Sequence, residues 1–280
     1  MIPAGRTPAI LATAVLTAQL VFGPAGASED SPLTTPAFAD DNPARVWVAD
    51  NAVHFYGDIS RKSARSFMKA VETAGPDAID RIVINSWGGN TRSGRAIGRW
   101  VFEHHLDVEV DAVCFSSCAN YIFPAGVQKT IRAGSIVGWH GSEAQFDILA
   151  LSEPGKTGTD LQRAAIADSL RNSGQDEQND AELQKDVEWH LVRAERSRAD
   201  EIAFFEEIGT DPEFTIHGMR PGHLGAFRAS LKDGWTYSLD DMKRLGLGQV
   251  TYLGEDDYAV SDRVHANLAV IAYQPSKAGQ

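Results

Sequence analysis

Val113-Cys-Phe-Ser-Ser-Cys-Ala-Asn-Tyr-Ile-Phe-Pro-Ala-Gly126 sets two small hydroxyl side chains, Ser116 and Ser117, between two apolar runs. The first run reads as a strand, Val108 to Val113. The second, Ala119 to Ala125, reads as a helix stopped by Gly126. A strand that turns directly into a helix leaves the first helical N–H groups unpaired, where they can face a developing negative charge. Working outward, Ser86-Trp-Gly-Gly-Asn90 follows the buried strand Arg81 to Asn85, and Trp139-His140-Gly141 ends the strand Ile136 to Trp139. Two consecutive glycines let a backbone approach a substrate closely. The three segments together offer a nucleophile, donors for an oxyanion and a histidine base.

Each segment also has a plainer reading. Gly88-Gly89 can be only a turn, His140 a hydrogen-bonded rim residue, and either serine an N-cap. It is their order, each at a strand end, that points to acyl transfer.

The surrounding pattern is α/β. Arg45 to Val48 and Ala52 to Tyr56 are β-like runs around the hairpin turn Asp50-Asn51. Ala64, Phe67, Met68 and Val71 follow helical spacing over Lys62 to Thr73, which ends at Gly75-Pro76. A helix after Asn90 places Ile97, Trp100 and Val101 on one face, and Thr130 to Ile131 is a further strand. Alternating strands and helices imply a largely parallel sheet with helices packed on it. Residues 142–230 change character. Thr159 to Asn172 is helical by pattern. Gln175 to Ile208 lacks Gly and Pro and carries a stripe of Leu183, Val187, Leu191 and Ala194, read as core packing or as a subunit contact. Ser238 to Gly246 is a short helix, followed by the strand-like Val250 to Leu253.

The ends and the composition set the setting. Residues 1–27 have the form of a secretory signal: Arg6, an apolar run from Pro8 to Phe22, and a small-residue cleavage site at Ala25-Gly26-Ala27. The competing reading is an uncleaved anchor, for which the apolar run is short. Residues 28–44 read as a flexible mature N-terminus, 45–255 as the folded domain, and 256–280 as a C-terminal strand and tail. With 280 residues, 43% apolar content and a net charge of −12, the chain has ample core and no basic stripe. It is expected to be soluble after cleavage, periplasmic or secreted, and not a nucleic-acid partner. Cys114 and Cys118 can pair in such a compartment. A ring so short would strain the turn, and two separate buried thiols remain the alternative. No further His or Cys pattern completes a metal site.

These motifs resemble the Clp-protease proteolytic subunit, within the Clp/crotonase superfamily. Asn85-Ser-Trp-Gly-Gly89 matches its oxyanion strand, apart from Trp87 in place of proline. Ser117, with Tyr121 four residues on and Gly126 nine on, matches its nucleophile helix. Arg132-Ala-Gly-Ser135 leading to His140 matches its histidine approach, with two residues fewer after Gly126. Asp240 to Leu247 resembles its late helix. The resemblance spans about residues 45–253 and implies repeated ββα units, with the helical segment inserted after the histidine strand. It implies Ser117 as nucleophile and His140 as base. Asp233 would be the orienting carboxylate, one residue out of register. The oxyanion donors would come from Gly88, Gly89 and Cys118. Exported relatives with a Cys-x-Ser-small-Cys signature would instead place the serine at Ser116. The activity implied is that of an ATP-independent serine peptidase of the periplasmic branch. Peptide or unfolded protein is its implied substrate, without cofactor or metal, in a homo-oligomer. A catalytically silent scaffold with the same fold is the alternative. Acyl-CoA chemistry fits poorly with export, and a thiol hydrolase using Cys118 would displace the nucleophile by one residue.

Overall fold

The computed structural model describes residues 44–172 and 180–274. The signal segment 1–27, residues 28–43 of the expected flexible N-terminus and the tail from Pro275 lie outside the described residues, as do Gln175 to Asn179. Among the described residues no helix is long and apolar enough to cross a membrane.

The chain opens with a hairpin, β1 (Arg45–Ala49) and β2 (Ala52–Tyr56), paired antiparallel. Its turn residues Asp50 and Asn51 both take positive φ, 51° and 56°. Asp and Asn tolerate this region better than other non-glycine residues, which suits a two-residue hairpin turn. Helix α1 (Arg61–Ala74) starts with a reciprocal cap. Ser60 Oγ accepts from the Ser63 N–H at 3.0 Å and Ser63 Oγ accepts from the Ser60 N–H at 2.8 Å. The helix buries Ala64, Phe67 and Val71 against the sheet side.

Strand β3 (Arg81–Ser86) pairs parallel with β2 and leads through Gly88-Gly89 into α2 (Thr91–Glu103). Asn90 caps α2, its Oδ1 accepting from the Ser93 N–H at 2.9 Å. Strand β4 (Asp107–Phe115) is parallel to β3 and bends at Ala112, where φ is 78° and Ser135 Oγ takes the freed N–H at 2.8 Å. The bend divides its far side. The first half pairs with β5 (Lys129–Ile131) and the second with β6 (Ile136–Gly138). The end of β4 is thereby steered toward the residues that follow β6, which include His140.

Three helices follow: α3 (Gln145–Ala150), α4 (Gly158–Leu170) and α5 (Asp180–Ile208). The first part of α5 buries Leu183, Val187 and Leu191 against Ile166, Ala167 and Leu170 of α4. The expected stripe is thus covered within the chain. The last part of α5 places Phe204, Phe205 and Ile208 in the main core. After α6 (Pro221–Ala229) come β7 (Gly234–Thr236), α7 (Leu239–Arg244), β8 (Val250–Tyr252), α8 (Asp262–Asn267) and β9 (Leu268–Val270). Strand β8 extends the sheet beside β5, while β7 and β9 form a separate parallel pair. The result is a mixed α/β fold whose main sheet is parallel except at the β1–β2 edge.

The expected helix over Ala119 to Ala125 differs in kind. Cys118–Ile122 is wound as a π-helix, with the Phe123 N–H donating to the Cys118 carbonyl at 3.0 Å. It packs so close to α2 that a Cβ on Gly98 would lie 2.3 Å from the Tyr121 carbonyl oxygen. Cys114 and Cys118 are joined in a disulfide across the turn, with Cα atoms 5.2 Å apart, a span within the ordinary range. Of the two expectations, a ring across the turn or two separate thiols, the ring forms: the backbone reverses at Ser116 and brings the two Cα atoms together.

A ring this small removes little chain entropy, so the disulfide should contribute about 2 kcal/mol. Urea unfolding of the C114A/C118A protein is expected to show a loss of that size. An unchanged midpoint would show that the bond contributes nothing to the fold.

Candidate active site

Strand β4 ends at Phe115 and the chain reverses at Ser116, whose φ is 56°. A left-handed serine between a strand and a helical turn is uncommon and projects its side chain out of the turn. Backbone bonds hold it on both sides: its N–H donates to the Gly138 carbonyl at 3.1 Å, and its carbonyl accepts from the Asn120 N–H at 2.8 Å. His140 lies two residues beyond β6. Its Nε2 is 2.7 Å from Ser116 Oγ, and its ring stacks on Phe115 with centroids 5.2 Å apart. Trp87 packs edge-on against the other aromatic of this wall, Phe115.

The geometry pairs His140 with Ser116, and it turns Ser117 elsewhere. Ser117 is buried, with helical φ and ψ, and its Oγ donates to the Gly89 carbonyl at 2.7 Å. The resemblance favours Ser117 by its register with Tyr121, four residues on, and Gly126, nine on, and a step of four is about one α-helical turn. In the wider π-helix the matching step is about five residues, and Tyr121 follows Ser116 by 121 − 116 = 5. The cysteine-flanked signature places its serine at Ser116, the residue that contacts His140 here.

Gly88 and Gly89 form the facing wall. Their φ values are 97° and 132°. A Cβ at Gly88 would sit 2.6 Å from the Phe115 carbonyl oxygen and 2.8 Å from the Ser117 nitrogen; one at Gly89 would sit 2.3 Å from the Ile59 carbonyl oxygen. No side chain fits at either position. The Gly88 N–H is occupied by Ser86 Oγ at 3.1 Å. Ile59 receives the Asn90 N–H at 2.6 Å and donates to the Gly88 carbonyl at 2.7 Å. Gly89, Ser116, Ser117 and His140 line one cleft of about 960 Å³, together with Trp87 and Tyr121. Cys118 sits behind the turn in its disulfide, fully buried.

Asp233 is exposed and lies just before β7. An antiparallel bridge between Trp139 and Trp235, with reciprocal N–H to carbonyl bonds of 2.8 Å, brings this segment beside His140. Burial lowers the His140 pKa below the ordinary histidine value; a backbone hydrogen bond and then the Asp233 charge act in the opposite sense. The imidazole is therefore neutral, and competent as a base, at neutral pH.

Around Tyr121 a second group, Arg95, Glu143, Ser197, Asp200 and Glu201, escaped the sequence reading. Tyr121 Oη donates to Glu201 Oε1 at 2.7 Å, and Arg95 is buried with its Nε 2.7 Å from Asp200 and its NH1 3.7 Å from Glu143. Ser197 Oγ donates to Glu143 Oε1 at 2.6 Å. These contacts bolt α5 onto the turn that carries Ser116. A signal for Glu201 was present: it lies three and four residues before Phe204 and Phe205, on the apolar face of α5. Arg95 carried no such signal.

No family model matches the chain, and no curated protein matches it. Among solved structures, ClpP1 from Listeria monocytogenes is 16% identical with a TM-score of 0.31, and a point mutant of that protein is 18% identical with a TM-score of 0.30. Each match covers 49% of this chain and 78% of the other. At that distance the chemistry has to be argued from the site's own atoms.

Burial, with the nearby Glu143 charge adding to it and the Tyr121 hydrogen bond opposing it, pushes the Glu201 carboxyl up to about 7. Its folded-state pKa exceeds the unfolded one, so its contribution to stability is fully present below about pH 4.3. That contribution, roughly 3 kcal/mol, is lost as pH rises to about 7. Denaturant unfolding from pH 4 to 8 (about that range) should show this slope, and E201Q should flatten it. An identical slope in both proteins would contradict the assignment.

Proposed function

We propose that this chain is an exported, ATP-independent serine peptidase of the Clp type, acting on peptide or unfolded protein, with Ser116 as nucleophile. The observation that carries the reading is the 2.7 Å contact between Ser116 Oγ and His140 Nε2 on a left-handed turn. A hydroxyl bonded to a neutral imidazole, facing an open cleft, is the arrangement needed for general-base-assisted attack. In the first half-reaction Ser116 Oγ attacks the scissile carbonyl carbon while its proton passes to His140 Nε2. The negative charge that develops on the carbonyl oxygen is met by the N–H groups of Ser117 and Gly89. Ser117 stands at the start of a helical turn, where its N–H has no intrahelical acceptor. The Ser117 hydroxyl on the Gly89 carbonyl keeps the two donors in register. His140 then returns the proton to the leaving amine, and water attacks the acyl-enzyme by the reverse route.

Asp233 is assigned the orienting role, through its charge on His140. Export is supported by the form of the first 27 residues and by the Cys114–Cys118 pairing, which suits an oxidising compartment. A homo-oligomer is supported by Trp189, Val192 and Ile202, large apolar side chains that α5 leaves exposed.

Hydrolysis of a fluorescently labelled unfolded protein tests the nucleophile. S116A should lower kcat by at least about a thousandfold, whereas S117A should stay within about tenfold of the wild type, having lost one hydrogen bond. Retained hydrolysis by S116A would overturn the reading. The acid limb of kcat/KM should fall below the ordinary histidine value of about 6.5, because His140 must be neutral to act and burial lowers its pKa. D233N removes a negative charge and should move that limb to lower pH while reducing kcat. An unmoved limb would remove Asp233 from the site.

A further inference from the structure

Beside the cleft lies a second concavity of about 840 Å³, walled by α2, α4 and α5. Thr91 lines both, so the two adjoin. The chain carries a net charge of −12, yet this wall is basic. Arg92, Arg95 and Arg99 come from α2, Arg193 and Arg196 from α5, and Arg61 from the first position of α1. The only carboxylate among the described lining residues is Asp200. It is already held by Arg95 at 2.7 Å and Arg99 at 2.9 Å, and Arg99 also binds Glu207 at 2.8 Å. Arg61, Arg92, Arg193 and Arg196 are exposed and form no ion pair with the described residues. Arg61, Arg92, Arg193 and Arg196 thus line one concave surface with no ion pair among the described residues, the Arg193 guanidinium lying 4.4 Å over the Trp189 ring, although carboxylates outnumber basic residues in the chain by 38 to 26. Such a surface attracts carboxylates, which guanidinium forks bind in bidentate fashion.

The groove also has apolar floor, from Phe146 and Ile166, which suits a polypeptide better than a small anion. From Thr91 to Arg99 α2 rises about 12 Å, the length of about four residues of extended peptide. We infer that this arginine-lined groove is a subsite for acidic side chains of the polypeptide substrate, selecting segments with Asp or Glu within about four residues of the scissile bond. The inference rests on the peptidase reading of the adjoining cleft.

Two labelled peptides of equal length test it, one carrying Asp and Glu and the other Asn and Gln at the same positions. Their binding to S116A protein is read by fluorescence anisotropy. The acidic peptide should bind at least about fivefold more tightly at low salt, with the preference collapsing near about 0.5 M salt. The triple variant R92Q/R193Q/R196Q in the S116A background should bind the two peptides alike. In a catalytically intact background the same three substitutions should leave hydrolysis of the neutral peptide unchanged, which shows that the fold is preserved. Equal binding of the two peptides to S116A, or a preference that survives the triple variant, overturns the subsite even if both peptides are cleaved. Preferential binding without cleavage by the wild type would sink the peptidase reading while upholding the acidic-peptide site.

Discussion

The left-handed backbone of Ser116 is the constraint on which the site depends. A non-glycine residue held at φ 56° costs on the order of 1–3 kcal/mol unless its surroundings favour it. Here they do so from every side. The Gly138 carbonyl and the Asn120 N–H fix the peptide units on either side, and the disulfide closes Cys114 onto Cys118 around the turn. Gly88 leaves room for the Phe115 carbonyl and the Ser117 nitrogen, where any Cβ would collide. The reversal is what lifts the Ser116 hydroxyl toward His140, and it also turns Ser117 inward onto Gly89.

The rest of the fold supplies that turn with its neighbours. The bend of β4 at Ala112 lets one strand pair with both β5 and β6, so His140 arrives just past the strand adjacent to Ser116. The Trp139–Trp235 bridge adds the segment that carries Asp233. Helix α2 starts directly after the glycine pair and runs against the π-helical turn, with Gly98 at the closest approach. Tyr121 leads from that turn to Glu201, so the long helix α5 is fastened to the residues just behind Ser116.

What was legible in the sequence was what depends on backbone pattern. The Asp50-Asn51 hairpin, the apolar strand before Gly88-Gly89, the glycine pair itself and the histidine after β6 all announce themselves through periodicity or through residues with special φ. The choice between Ser116 and Ser117 is not legible in the spacing to Tyr121 and Gly126, because that spacing gives no sign that the turn is π-wound. The disulfide was undecided for a related reason: whether the ring closes depends on the reversal at Ser116, a property of the fold and not of the spacing. The arginine groove was hidden because its members come from α1, α2 and α5, and only the tertiary structure gathers them.

The central claim, that Ser116 is the hydroxyl activated by His140, is tested most directly by mapping a fluorophosphonate adduct. The purified protein, treated with the probe near neutral pH and digested, should carry the phosphonyl group on Ser116, and the H140A protein should remain unlabelled. An adduct on Ser117, or undiminished labelling of Ser116 without His140, would contradict the account.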